Sequence, residues 1–183
     1  MTVIATAGHV DHGKSTLVTF LTNQKTDRLQ EEQKRGLTIN LGYTFFEIKN
    51  EIISIVDVPG HKDYFKNTIA GFSNVDGILF CVDATQGWSQ QSEEHFQSIK
   101  WLGIKNIIFV ITKTDLVKER FNTLDLEEKI KELSPKNFKI IEYSFKESDA
   151  NEIRNIIFDT FCNEITTDSV PHVWIDRSFI IDG

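Results

Sequence analysis

Only two of the 183 residues are cysteine, Cys81 and Cys162. No C-x-x-C pair occurs, so neither a disulfide framework nor a structural zinc site is encoded. Cys81 sits in the apolar run GILFCV, where a buried thiol is the expectation. Long apolar runs are missing as well. The sequence has no stretch of roughly eighteen apolar residues and no basic-then-apolar leader, so it offers neither a spanning helix nor a secretory signal. A reducing, cytoplasmic setting without membrane contact is expected. Positive charge is also short. Lys plus Arg total 20 against 27 Asp plus Glu, a net charge of −7, which argues against tight RNA binding by this segment. Internal repeats and low-complexity tracts are absent, so a repeat architecture is excluded.

What remains is an ordinary apolar share of 40% in a length that suits one globular domain and part of another. Strand-like runs cover residues 3–7, 39–48, 52–58, 77–83, 107–111 and 138–143. Helical patterns cover 14–22, 64–71, 89–102, 124–133 and 150–163. This alternation predicts an α/β domain, a mostly parallel six-stranded sheet with helices on both faces. The link KNE between the second and third runs is too short for a parallel crossover, so that pair should be antiparallel. The charged run EEQKR at 31–35 reads as a loop and a candidate mobile segment. ITTDSVP reads as a linker closed by Pro171, and HVWIDRSFIID as one further strand. The expected division is a nucleotide-binding domain over 1–168, then a linker and the first strand of a truncated second domain over 169–183.

The chemistry concentrates in GHVDHGKS at 8–15, which fits G-x-x-x-x-G-K-[ST] between a strand and a helix. In isolation a glycine-containing turn would be the plain reading. The full pattern in its strand–loop–helix setting points instead to phosphate capture. Consecutive backbone N–H groups and a helix N-terminus create the positive potential an anion needs. Asp11, His12, Gly13, Lys14, Ser15 and Thr16 are the candidate phosphate ligands, with Lys14 reaching the outer phosphates and the Ser15 hydroxyl suited to Mg²⁺. Asp57 ends an apolar strand and precedes V-P-G, where a carboxylate can hold the water shell of Mg²⁺. Gly60 can offer its N–H to a terminal phosphate, and His61 can orient a water for in-line attack. Thr38 is either an ordinary β-branched strand residue or a second hydroxyl ligand for Mg²⁺ on a segment that orders with the nucleotide.

Thr112-Lys113-Thr114-Asp115 follows the strand NIIFVI. An Asp there can accept from N1–H and the exocyclic amine of guanine. Adenine lacks that donor pair, so discrimination of about 10⁴-fold is within reach. Lys113 can lay its stem along the base. Ser144 and Lys146, in SFK, are further base-side candidates. His9, His12 and His61 could be imagined around zinc, but two of them lie inside the phosphate loop.

These stretches carry a resemblance. GHVDHGKST, KRGLTINLGY, DVPGHKDYFKNTIAG and TKTD resemble the nucleotide-binding domain of the translational GTPases, a Ras-like P-loop fold. Among them the bacterial selenocysteine-specific elongation factors look nearest, from the short 15–38 segment, the INLGY strand and Thr112 in place of Asn. The resemblance implies GTP and GDP as ligands, Mg²⁺ as cofactor, slow hydrolysis until the ribosome docks, and His61 as the water-activating residue. It implies Val10 and Ile39 as an apolar gate for that histidine, and Lys113, Asp115, Ser144 and Lys146 on the base side. It implies delivery of selenocysteinyl-tRNA by a monomeric full-length protein, with IDRSF opening a β-barrel domain. Alternatives are an elongation factor Tu-like or initiation-factor gamma G domain, a P-loop enzyme subunit such as the sulfate adenylyltransferase GTPase, and a module that binds nucleotide without hydrolysis. Two departures stand out. Thr112 removes an amide that braces base and phosphate loop in relatives, and SFK replaces S-A-K.

Overall fold

The computed structural model describes residues 2–26, 37–117, 126–128, 131 and 137–162. Among the described residues six strands form one sheet in the order β2-β3-β1-β4-β5-β6. They are β1 Thr2–Ala7, β2 Gly42–Ile48, β3 Glu51–Asp57, β4 Gly77–Asp83, β5 Asn106–Thr112 and β6 Asn137–Tyr143. All neighbours are parallel except β2 and β3. Those two are joined by Lys49 and Asn50, both at positive φ, 51° and 64°, the backbone of a two-residue hairpin turn.

Among the described residues the sheet is flanked by the helices α1 Lys14–Thr22, α2 Phe65–Phe72, α3 Gln90–Trp101 and α4 Ala150–Phe161. The pleat sends alternate residues of each strand to opposite faces. Ile4, Leu79 and Val110 pack with Leu17 and Leu21 of α1 and Ile153 and Ile157 of α4. Ala5, Phe80 and Phe109 pack with Phe72 of α2 and Phe96 and Ile99 of α3. β4 is buried along its whole length, as a central parallel strand covered on both sides must be. Caps set the helix starts where small polar residues stand. Ser89 accepts from the Ser92 N–H at 3.2 Å, and Asp149 accepts from the Asn151 N–H at 2.9 Å. Among the described residues no helix is long and apolar enough to cross a membrane.

Most expected boundaries move by one or two residues, and one moves by three. β2 begins at Gly42 rather than at residue 39. Its partner β3 ends at Asp57, directly opposite Gly42, so residues 39–41 have no ladder to join. The Ile39 carbonyl instead accepts from the Asn67 side-chain amide at 2.9 Å. The expected helix over 124–133 lies mostly outside the described residues, although Leu126, Glu127 and Glu128 are helical and Leu126 is buried. The charged run 31–35 and the linker and strand of 169–183 also lie outside them.

The strand order reverses at β1, whose two neighbours are β3 and β4. A ligand crevice opens beyond the strand ends at such a point, and the loop leaving β1 is the phosphate-loop sequence.

Candidate functional site

The loop from Gly8 to Gly13 bends because three of its residues take positive φ: Gly8 at 121°, Asp11 at 60° and Gly13 at 81°. A Cβ at Gly8 would collide with the Cys81 carbonyl oxygen, so the loop can cross β4 closely only as glycine. The Gly8 N–H donates to Nδ1 of His95 at 3.1 Å. His95 is a buried residue of α3, and its ring lies against Phe65 and Phe72 of α2. Burial, with Lys14 and His9 adding to it, pushes the His95 pKa down to about 3. The imidazole is therefore neutral and free to accept.

A cavity of about 590 Å³ opens above the loop, lined by Val10, Asp11, Gly13, Lys14, Ser15, Thr16, Leu37, Thr38, Gly60, Gln86 and Lys113. Its size suits a nucleotide-sized ligand. Lys14 is 6% exposed, and its Nζ donates to the His9 carbonyl at 2.6 Å. Burial lowers its pKa, while Asp57, Cys81 and Asp11 oppose the shift. Ser15 Oγ and Thr38 Oγ1 stand 3.0 Å apart, so the two expected Mg²⁺ hydroxyls converge. Thr38 reaches this position from the irregular segment before β2, not from a strand. A Cβ at Gly60 would strike Lys14 Nζ and come within 2.7 Å of the Val10 nitrogen. That glycine is what lets the segment after β3 close on the phosphate loop.

Asp57 is fully buried at the end of β3 and is not itself part of the cavity lining. Its Oδ1 accepts from the Thr6 hydroxyl at 2.9 Å and its Oδ2 from the Thr26 hydroxyl at 2.7 Å. The second lone pair of each oxygen remains able to accept from metal-bound water. The donor set, two hydroxyls and a carboxylate, is all oxygen and fits a hard divalent cation. Neither Thr6 nor Thr26 was singled out from the sequence, because a hydroxyl holding a remote carboxylate has no local pattern.

His12 is fully buried, with Nδ1 3.4 Å from the Cys81 carbonyl oxygen. Burial and the neighbouring His9 push its pKa down to about 4. Its side chain does not line the cavity, so any role toward phosphate falls to its backbone. His61 also stands outside the lining. Its Nδ1 accepts from the Asp63 N–H at 3.2 Å and lies 3.4 Å from the Asp63 carboxylate. Ile39, the expected gate partner of Val10, is likewise outside the lining. Among the described residues no three His, Cys, Asp or Glu side chains form a metal-binding group.

On the base side, Lys113 has positive φ, 57°. Its Nζ meets the Asp83 carboxylate at 2.6 Å. Asp115 Oδ2 lies 3.6 Å from Lys146 Nζ. Ser144 is buried, and its hydroxyl accepts from the Lys146 N–H at 3.3 Å. Lys146 thus links Asp115 to Ser144, while the Lys113 ammonium turns to Asp83, and of these expected base-side residues only Lys113 reaches the cavity lining. Thr112 keeps part of the bracing expected from an asparagine. Its hydroxyl donates to the His12 carbonyl at 2.9 Å and to the Val82 carbonyl at 3.3 Å, tying β5 to the phosphate loop.

The chain matches the elongation factor Tu GTP binding domain model over residues 1–161. It is 42% identical over 127 residues to the selenocysteine-specific elongation factor of Desulfomicrobium baculatum, covering 69% of this chain and 20% of that protein. The chain spans about a fifth of the length of this and two other curated selenocysteine-specific elongation factors that it matches. The crystal structure of bacterial selenocysteine-specific elongation factor EF-Sec superposes with TM-score 0.78 at 40% identity, over 87% of this chain and 28% of that one. Translation elongation factor SelB from Methanococcus maripaludis, in complex with the GTP analogue GPPNHP, superposes with TM-score 0.68 at 30% identity, over 88% of this chain and 34% of that one. Six strands with one antiparallel pair, a phosphate loop at the switch point and a match across residues 1–161 lead to one assignment: the chain belongs to the family of the elongation factor Tu GTP-binding domain.

Proposed function

We propose that this is the GTP-hydrolysing domain of an elongation factor that delivers selenocysteinyl-tRNA to the ribosome. The observation that carries the reading is the 3.0 Å contact between Ser15 of the phosphate loop and Thr38 of the segment before β2. It joins two parts of the chain that a triphosphate and its metal would hold and that hydrolysis would release. Mg²⁺, held by the Ser15 and Thr38 hydroxyls with Asp57 accepting from its water, would neutralise charge on the phosphates.

The chain's own groups supply the rest. N–H groups of the loop from Asp11 to Thr16 cradle the phosphates, and Lys14 exchanges the His9 carbonyl for an outer phosphate oxygen. Gly60 brings its N–H to the terminal phosphate. Asp115 reads guanine through its donor pair, with Lys113, Ser144 and Lys146 around it. His61 positions the attacking water. Its tie to Asp63, outside the cavity lining, supports a resting state in which that water is not oriented. Hydrolysis by the domain alone is then slow, near 10⁻⁴ s⁻¹ as in unstimulated switches, and movement of His61 past Val10 and Ile39 on the ribosome makes it fast. A role in translation carries the cytoplasmic setting with it. Residues 1–168 form the switching domain, and 169–183 begin a second, β-barrel domain.

Calorimetry with GTP, GDP and ATP tests the core of this reading. Tight GTP and GDP binding with no ATP heat is expected. ATP held as firmly as GTP, or neither retained, overturns it. The tRNA assignment is tested separately in the full-length protein, by competition between selenocysteinyl-tRNA and initiator tRNA. Preference for the initiator would move the protein to another branch of the family.

A further inference from the structure

Asp83 is the last residue of β4, fully buried, and has been met so far only as the partner of Lys113. Four groups converge on it. Its Oδ1 accepts from the Thr85 N–H at 2.7 Å and the Thr85 hydroxyl at 2.6 Å. Its Oδ2 accepts from the Gln86 amide at 3.5 Å and from Lys113 Nζ at 2.6 Å. Asp83 and Thr112 are register partners on adjacent strands. The Lys113 side chain therefore runs from the end of β5 back across the end of β4, and both Lys113 and Gln86 border the nucleotide cavity.

We propose that Asp83 is a positioning residue: its carboxylate pins the Lys113 ammonium so that the aliphatic stem forms a preset shelf for the guanine and ribose. The inference rests on the GTP-binding reading above. A lysine otherwise loses rotamer freedom when it is immobilised on a ligand, and a shelf fixed before binding avoids part of that loss. The carboxylate is well suited to the task. Burial pushes its pKa up, but donation from Lys113 and Thr85 outweighs burial and holds it below the ordinary carboxylate range. It remains charged throughout the physiological range, so the clamp does not release with pH. The arrangement also bears on Thr112. With no amide at that position to brace the base side, the chain places a charged pair one residue along.

The test is a double-mutant cycle on the 183-residue chain, with GDP affinity and dissociation rate as readouts. Asp83→Asn keeps the shape and removes the charge. It should weaken GDP about tenfold, about 1.4 kcal/mol, mainly through faster dissociation. Lys113→Met keeps most of the stem and removes the ammonium. In that background Asp83→Asn should change affinity less than about twofold, because the group it acts through is gone. Thr85→Val, at an exposed position, releases one anchor of Asp83. It should weaken GDP about threefold, again only when Lys113 is present, and it decides the question if Asp83→Asn does not fold. Thermal unfolding without nucleotide separates lost folding from lost positioning. Unchanged GDP affinity in Asp83→Asn, or losses that multiply independently in the double variant, overturn the positioning role while leaving GTP binding intact. A wild-type chain that binds no guanine nucleotide overturns the GTP reading itself.

Discussion

Acid should loosen this domain through a histidine that never needs to carry charge. His95 is 1% exposed, accepts from Gly8 through Nδ1 and has its pKa pushed from 6.5 down to about 3. Protonation would convert the acceptor into a donor facing a donor, with Lys14 and His9 nearby. The unfolded chain has no such restriction. Above the unfolded pKa both states are neutral and the stabilisation is complete. As pH falls from 6.5 toward 3 the unfolded state takes up a proton that the folded state refuses, and stability declines by about 1.36 kcal/mol per pH unit. At pH 5 the loss from this residue is about 2 kcal/mol. His95→Asn isolates it, since the Asn oxygen can occupy the Nδ1 position, accept from Gly8 and never titrate. The variant loses the ring against Phe65 and Phe72 and should be about 1–3 kcal/mol less stable at pH 8. Its further loss between pH 8 and pH 5 should be about 2 kcal/mol smaller than that of the wild type. Urea unfolding at the two pH values measures both quantities. His12 and the carboxylates are common to both proteins and cancel. Equal acid losses in the two proteins would refute the buried-neutral assignment.

Other perturbations follow from single contacts. Gly60→Ala drives a Cβ into Lys14 Nζ and the Val10 backbone; GTP hydrolysis should fall about 10²-fold or more while GDP binding changes little, read by phosphate release and calorimetry. Thr38→Ala removes one of the paired hydroxyls, so Mg²⁺-dependent GTP affinity should drop while GDP affinity is nearly unchanged, and chelating Mg²⁺ should erase the difference between variant and wild type. Thr112→Ala cuts the bonds to the His12 and Val82 carbonyls and should cost about 1 kcal/mol of stability in chemical unfolding. His61→Ala should bind GTP as the wild type does and lose most ribosome-stimulated turnover in the full-length protein, by about 10³-fold or more.

The sheet was legible because its signals are local. A parallel strand buried on both faces must be apolar along its covered length, and GILFCV and IIFVI are. A link of two turn residues allows only an antiparallel pair. The phosphate loop was legible because its donors are consecutive backbone groups, so the whole device occupies eight adjacent positions. Thr38 was harder. Sequence marked it as a candidate, but the premature end of the β2–β3 ladder is what frees it to reach Ser15.

The amino-acid sequence by itself determined that a β-strand, an anion-binding bend and a helix follow one another, since each depends on spacing within a few residues. Tertiary structure alone decided the groups that hold this bend in place. Gly8 and His95 lie 87 residues apart, Thr6 and Asp57 lie 51 apart, and Asp83 meets Lys113 only because β4 and β5 run side by side. Each of those pairs unites one ordinary residue with another across a crossover, and no periodicity records which strand will become whose neighbour.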